Sequence, residues 1–222
     1  MNKLIRPRGL TTDVVIFTME DEKLKVLLIK RANEPFKGMW ALPGGFLLEK
    51  EGSQEAAFRI LKEKAGIKNV YLEQLYTFDG SGRDPRGSVC TVSYFALTPR
   101  QTITFDPGED IQTPVFFSAD KLPKLAFDHQ GIVNYAKKRL QAKLEYTNVV
   151  YSLLPKVFTF NQLQGAYETI LGKKLDKRNF RKKFSALKLI KPTKKILTGN
   201  RQRPAKLYQF ISRKPTELKK FF

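Results

Sequence analysis

Between Gly45 and Ile67 the chain reads GFLLEKEGSQEAAFRILKEKAGI, a stretch compatible with few folds. A loop carrying Glu49, Lys50 and Glu51 follows Pro43-Gly44-Gly45, and then Ala56, Phe58, Ile60, Leu61 and Ala65 recur at helical spacing. Ser53 is the expected N-cap, and Gly66 supplies the left-handed stop. The segment therefore reads as loop, helix, loop. Glu51 in the loop and Arg59 on the helix can pair and pin the two together, a structural role. Positions 60, 63 and 64 lie three and four residues apart and share one helix face. They hold Ile60, Glu63 and Lys64, so that face carries one carboxylate beside one ammonium.

The surrounding pattern embeds this unit in a mixed sheet. Val14–Thr18 and Lys25–Ile29 are β-rich runs around the polar Glu20–Lys23, which reads as a hairpin. Trp40–Leu42 is a short strand ended by Pro43-Gly44-Gly45. Val70–Phe78, Ser88–Leu97, Ile103–Phe105 and Pro114–Phe117 are further β segments, and Gly131–Leu144 has helical periodicity, with Asp128 as its expected N-cap. The helices and strands lack regular βαβ alternation, which predicts an α/β class with a mixed sheet. Cys90 is the only cysteine, which rules out an internal disulfide framework and predicts a small buried apolar residue. His129, the only histidine, has no metal-binding companion and reads as structural or ligand-adjacent.

Charge divides the chain in two. Residues 1–145 hold 22 basic and 18 acidic side chains, whereas residues 146–222 hold 19 basic and three acidic ones, a net of +16. Charge this concentrated repels itself unless a polyanion is present. Two domains are expected, 1–145 and 146–222. The start MNKLIRPRGL lacks the apolar core of a signal peptide, and no apolar run approaches the roughly 20 residues of a membrane helix. The expectation is a cytoplasmic protein with no membrane partner.

In the second part, Tyr146–Leu154 reads as a short helix stopped by Pro155. Thr159 or Asn161 can cap a helix ending at Leu171–Gly172, and Asp176 a second one, Lys177–Leu187. Two helices joined by a short turn, then β-prone Lys195–Thr198 and Lys206–Ile211 around a basic tip, predict a winged helix-turn-helix. At about 100° per residue, Phe180, Phe184 and Leu187 form an apolar stripe, with Arg178, Arg181, Lys182 and Ser185 broadly opposite. Lys177, Arg178, Asn179, Arg181 and Lys182 on the helix, with Arg201 and Arg203 on the wing, are the expected contacts to double-stranded DNA.

The loop-helix-loop segment, with Trp40-Ala-Leu-Pro-Gly-Gly-Phe46 before it, resembles the Nudix box and its approach. That box runs Gly, five residues, Glu, seven residues, then Arg-Glu-apolar-x-Glu-Glu-x-Gly-apolar. Gly45, Glu51, Arg59, Glu63, Gly66 and Ile67 match it, while Ile60 and Lys64 stand at two of its metal-ligating glutamates. The resemblance implies a Nudix α/β/α sandwich. It also implies a pyrophosphate-containing ligand, here without the Mg²⁺ that hydrolysis needs. No cofactor is expected, with a residual Mg²⁺ at Glu63 left open.

Tyr76-Thr-Phe followed by Arg83-Asp-Pro-Arg86-Gly resembles the ADP-ribose-type Nudix enzymes and their regulatory relatives. Gly45, Glu63, Lys64, Arg83 and Arg86 are therefore the expected effector contacts. With Leu175-Asp-Lys-Arg-Asn-Phe-Arg-Lys-Lys183 and Arg203-Pro-Ala-Lys-Leu-Tyr-Gln-Phe210, nearly the whole chain resembles the Nudix-related transcriptional regulators of bacteria, among them NrtR-type repressors and arabinose-responsive relatives. This implies a homodimer on an operator, probed by an effector such as ADP-ribose or a sugar. The alternative is an active pyrophosphatase of ADP-ribose or a nucleotide sugar with a basic accessory domain. Whether the chain is an enzyme stays open, with Ile60 and Lys64 against it.

Overall fold

A computed structural model describes residues 8–68, 70–103, 114–199 and 202–218, without the side chains of residues 195, 197–199, 202 and 203. Its organising element is β1, Gly9–Glu20, in which every residue from Thr11 to Thr18 is buried. A strand buried on both faces must be central, and β1 pairs on both sides. It runs antiparallel to β2 (Lys23–Lys30) and parallel to β6 (Val89–Leu97), with Phe17 opposite both Val26 and Leu97. The sheet order is β3 (Trp40–Ala41), β2, β1, β6, β5 (Tyr71–Phe78). Two short strands join it: β4 (Gly44–Phe46) on β1 and β7 (Val115–Ser118) on β2.

Alternation along β1 divides the core into two layers. Val14 and Ile16 pack with Ala57, Ile60, Leu61 and Ala65 of α1 (Ser53–Ala65). Val15 and Phe17 pack with Ile132, Val133, Ala136, Leu140 and Leu144 of α2 (His129–Tyr146). This is the expected α/β/α sandwich.

Several expectations are corrected. Helix α1 is capped from Gly52, not Ser53: the Glu55 carboxylate accepts from the Gly52 amide at 2.8 Å. Phe58 is not part of the buried stripe but is 46% exposed. The strand at Trp40–Ala41 does end before Pro43, but Gly44–Phe46 then forms a further, unexpected strand, with Thr12 opposite Gly45. Cys90 is only half-buried. Tyr146–Leu154 does not form its own helix: α2 continues to Tyr146, and Val149–Ser152 is a single 3₁₀ turn. Most of the expected strand 103–105 lies outside the described residues.

The second part contains α3 (Phe160–Leu171), α4 (Lys177–Ala186) and a three-stranded sheet in the order β8 (Phe158–Thr159), β10 (Gln202–Phe210), β9 (Ile190–Gly199). Thr159 and Gln162 cap α3 reciprocally, and Gly172 ends it at φ 68°. Asp176 caps α4 by accepting from the Asn179 amide at 2.7 Å. The turn between the helices is held by Glu168, which accepts from the Leu175 amide (3.0 Å), Gln164 (2.9 Å) and Lys174 (2.9 Å). These bonds, the Leu175 amide foremost, hold the Glu168 carboxyl at about 2. Because that value is depressed, the stability it provides is complete above the usual 4.5 and disappears as pH falls toward 2. The difference in melting temperature between wild type and Glu168→Gln is therefore expected to shrink between pH 4.5 and 2, measured by circular dichroism; a constant difference would contradict this role.

The two parts are not tethered loosely. Phe158, Leu163, Tyr167, Ile170, Phe180, Phe184 and Phe210 belong to the same contiguous buried cluster as the α2 residues. Gln141 of α2 donates to the Ile170 carbonyl at 2.8 Å, and Thr169 of α3 donates to the Glu22 carbonyl in the β1–β2 turn at 2.9 Å. The charge break at residue 145 thus coincides with the end of α2, but the apolar core runs across it.

Candidate functional site

A cavity of about 260 Å³ opens where β1, β2, β4 and α1 meet the 79–87 loop and the start of α2. Asp13 lines it, a buried carboxylate between Thr12 and the apolar run Val14–Phe17 of β1. Gly44 is required beside it, because a Cβ there would stand 1.9 Å from an Asp13 carboxylate oxygen. Gly45 also lines the cavity, and a Cβ there would meet nothing within 4 Å.

His129 is fully enclosed, and its Nδ1 accepts from the Leu42 amide at 2.9 Å. In the neutral ring the proton therefore sits on Nε2, 3.6 Å from Asp13. Burial lowers the His129 pKa, against the opposing pull of Asp13 and Asp128.

The two loop arginines differ. The side chain of Arg83 is buried and forks onto Asp128 (Nε to Oδ2 2.9 Å, Nη2 to Oδ1 2.8 Å), with Asp13 3.8 Å away. Asp128 is thus not a capping side chain but the partner that fixes Arg83. Arg86 forks onto Asp84 at 2.9 and 2.6 Å while its guanidinium lies over Phe46 and Phe127, 5.0 and 5.6 Å from the ring centroids. Arg31 covers Phe127 at 4.7 Å and donates to the Pro35 carbonyl. Two planar cations stacked on aromatic rings form a wall suited to a flat ring or a phosphate.

The helix α1 presents its three box positions differently. Ile60 is completely buried in the α1-side core. Glu63 is exposed, lies outside the cavity lining and pairs with Arg59 at 3.5 Å. Lys64 turns into the cavity, where its ammonium donates to the Gly44 carbonyl. The Glu51–Arg59 pair has the expected form: the fork closes at 2.7 and 2.8 Å, and Arg59 also reaches the Phe46 carbonyl. Chiefly through Arg59, the Glu51 carboxyl is held at about 2.

Of the expected effector contacts, Gly45, Lys64, Arg83 and Arg86 line one cavity and Glu63 does not. Asp13, Arg31 and Phe127 were not singled out from sequence. Asp13 had a readable signal, a carboxylate directly before the apolar run Val14–Phe17; Arg31 and Phe127 had none. Among the described residues, no cluster of three or more His, Cys, Asp or Glu is placed to hold a metal. A divalent cation wants several hard oxygens, whereas the helix offers an alkyl group, a remote carboxylate and an ammonium. The donor set does not fit Mg²⁺.

The second surface is α4. Phe180 and Phe184 are buried, and Lys177, Arg178, Asn179, Arg181 and Lys182 are all exposed. Arg181 lies over Phe160 at 4.9 Å, with Tyr208 of β10 3.5 Å away, so its head is positioned by the core beneath it. Arg201 and the side chain of Arg203 lie outside the described residues. No helix among the described residues is long and apolar enough to cross a membrane.

These features define a Nudix domain joined to a winged helix. Residues 7–136 match the NUDIX domain family, and residues 150–210 match the NrtR DNA-binding winged helix domain. The chain is 40% identical over 205 residues to the ADPR responsive transcriptional repressor NtrR of Acinetobacter baylyi, covering 90% of this chain and 81% of that protein. It superposes on Shewanella oneidensis NrtR in complex with a 27mer DNA with a TM-score of 0.81 and 37% identity, over 90% of this chain and 93% of that one. The Nudix domain of the same Shewanella protein, in complex with ADP ribose, matches 61% of this chain and 90% of its own at 39% identity and a TM-score of 0.55. The chain belongs to the NrtR family of transcriptional regulators.

Proposed function

We propose that this chain is an operator-binding repressor that works as a homodimer and releases DNA when ADP-ribose enters the Nudix cavity. The observation that carries the reading is helix α2. Its first turn, with His129 and the neighbouring Asp128–Arg83 pair, walls the cavity, and its later residues Leu140, Gln141 and Leu144 pack against the winged helix. A ligand shifts an equilibrium only through its differential affinity for two states. An anion drawing on Arg83 competes with Asp128, which adjoins α2, and that competition reaches the two DNA-binding surfaces through a rigid helix. Hydrolysis is not part of the proposal, because the donor set lacks metal ligands; no AMP is expected from ADP-ribose with Mg²⁺ or Mn²⁺.

The test is fluorescence anisotropy of an operator duplex, titrated with the intact protein and then with ADP-ribose. Saturable sequence-specific binding, reversed by ADP-ribose, supports the reading. Binding indifferent to sequence at every salt concentration would sink it, because phosphate neutralisation alone gives only salt dependence. In Arg83→Gln the duplex should still bind, but release should need at least about tenfold more ADP-ribose, since a lost charge-assisted bond is worth about 1.5–3 kcal/mol. Unchanged release would remove Arg83 from the site.

A further inference from the structure

The Nudix-box resemblance implies a divalent cation, and the residues here do not accommodate one. We infer that the Lys64 ammonium stands in place of that cation, so that the cavity takes up its pyrophosphate-bearing ligand without metal. The inference rests on the pyrophosphate chemistry of the proposed ligand, but not on its adenosine or its second ribose.

Three observations carry it. Lys64 is anchored on α1 and bonds the Gly44 carbonyl, a hard oxygen at the cavity edge. The ammonium has three N–H donors, and among the described residues this is the one hydrogen bond it makes. The remaining donors have cavity in front of them, since Lys64 is a lining residue.

The second observation is charge. Among the described residues, Lys30, Arg31, Lys64, Arg83 and Arg86 line the cavity against two carboxylates, Asp13 and Asp84. Asp84 is neutralised by Arg86, and Arg83 is shared by Asp128 and Asp13, which leaves Lys30, Arg31 and Lys64 as the positive excess. The cavity is thus cationic before any metal is added. A doubly charged pyrophosphate needs no bridging ion to enter it, and a divalent cation would be repelled.

The third observation is Ile60. It is not an accidental gap in a metal site but a filled core position, enclosed with Val14, Ile16 and Leu27. A carboxylate there would be buried without a partner, so the core itself excludes one ligand. Burial lowers the Lys64 pKa and Asp13 opposes it; an arriving anion acts in the same direction as Asp13.

The experiment is isothermal titration of the intact protein with ADP-ribose and, separately, with inorganic pyrophosphate, each in excess EDTA and in excess Mg²⁺. The expected result for ADP-ribose is the same dissociation constant within about twofold in both buffers, and pyrophosphate, which Mg²⁺ itself complexes in solution, should bind in EDTA. Lys64→Met, which keeps the length and loses the charge, should weaken both ligands roughly ten- to hundredfold, with no rescue by Mg²⁺. Lys64→Arg should retain metal-free binding, and cooperative thermal unfolding of each variant shows that it is folded. Metal-dependent binding by the wild type, or wild-type affinity in a folded Lys64→Met, would overturn the inference. Metal-free pyrophosphate binding that depends on Lys64, with no response to ADP-ribose, would uphold it and remove the effector assignment instead. No binding of either ligand in either buffer would end both.

Discussion

Replacing Phe184 with alanine is expected to destabilise the protein by about 3–5 kcal/mol and to abolish operator binding. Phe184 is fully buried, and its ring meets Phe160, Tyr167, Phe180 and Phe210. It sits on the inner side of α4, so its removal opens a cavity directly under the exposed cationic face. The loss is comparable with the whole stability of many domains, about 5–15 kcal/mol. Because one core runs from α4 through α3 to α2, the damage should register in the Nudix half as well. Trp40, the only tryptophan, packs against that core beside Phe117, with ring centroids 4.9 Å apart. Urea unfolding followed by Trp40 fluorescence should therefore show a lower midpoint in Phe184→Ala than in wild type. An unchanged Trp40 transition with a lost winged helix would mean that the halves unfold separately.

The same core explains why the sequence disclosed the units better than their junction. Periodicity along Lys177–Leu187 correctly separated Phe180 and Phe184 from the basic residues, because an amphipathic helix records its inside and outside directly. Val14–Thr18 was legible as a strand, since β-branched runs buried on two faces leave little alternative. The junction had no such record. Tyr146–Leu154 mixes β-branched and polar residues, and what fixes it is remote: Asn148 bonds Lys214 and Thr216, and Arg213 donates to the carbonyls of Tyr151, Leu154 and Pro155. Contacts about 60 residues away in sequence leave no local periodicity.

The cavity shows the same limit at finer scale. Helical spacing placed Ile60, Glu63 and Lys64 on one face, and they do fall within an arc of about 100°. The sheet, though, draws its boundary through that arc, so Ile60 faces core, Lys64 cavity and Glu63 solvent. Arg83 was legible as an anion-binding side chain on a glycine-rich loop, but its fork belongs to Asp128 until a ligand competes. Pro43-Gly44-Gly45 reads locally as a strand stop. It pairs with β1 because Gly44 tolerates Asp13 at a separation no side chain would allow.

Substituting Arg178, Arg181 and Lys182 together with alanine is expected to reduce operator affinity by about 10²–10³ at physiological salt while leaving the fold intact. All three are exposed, whereas the residues that hold α4 in place, Phe180 and Phe184, point the other way. Asp176 and the Asn179 amide, which start the helix, are untouched. If each cation neutralises one phosphate, the slope of log affinity against log salt should become shallower by about 0.9 per residue removed. The three positions should not behave alike. Arg178 and Lys182 lie exposed on the outer face, so their alanine variants should change affinity nearly equally for all sequences. Arg181 is held over Phe160 and near Tyr208, and a positioned guanidinium is what a bidentate contact to guanine requires. Arg181→Ala should therefore relax sequence preference at one operator position by about 1–3 kcal/mol, and Arg181→Lys should restore the salt slope without restoring the preference. Equal losses on operator and random duplex for Arg181→Ala would reduce it to a phosphate contact and leave base reading to other residues of α4 or to the wing.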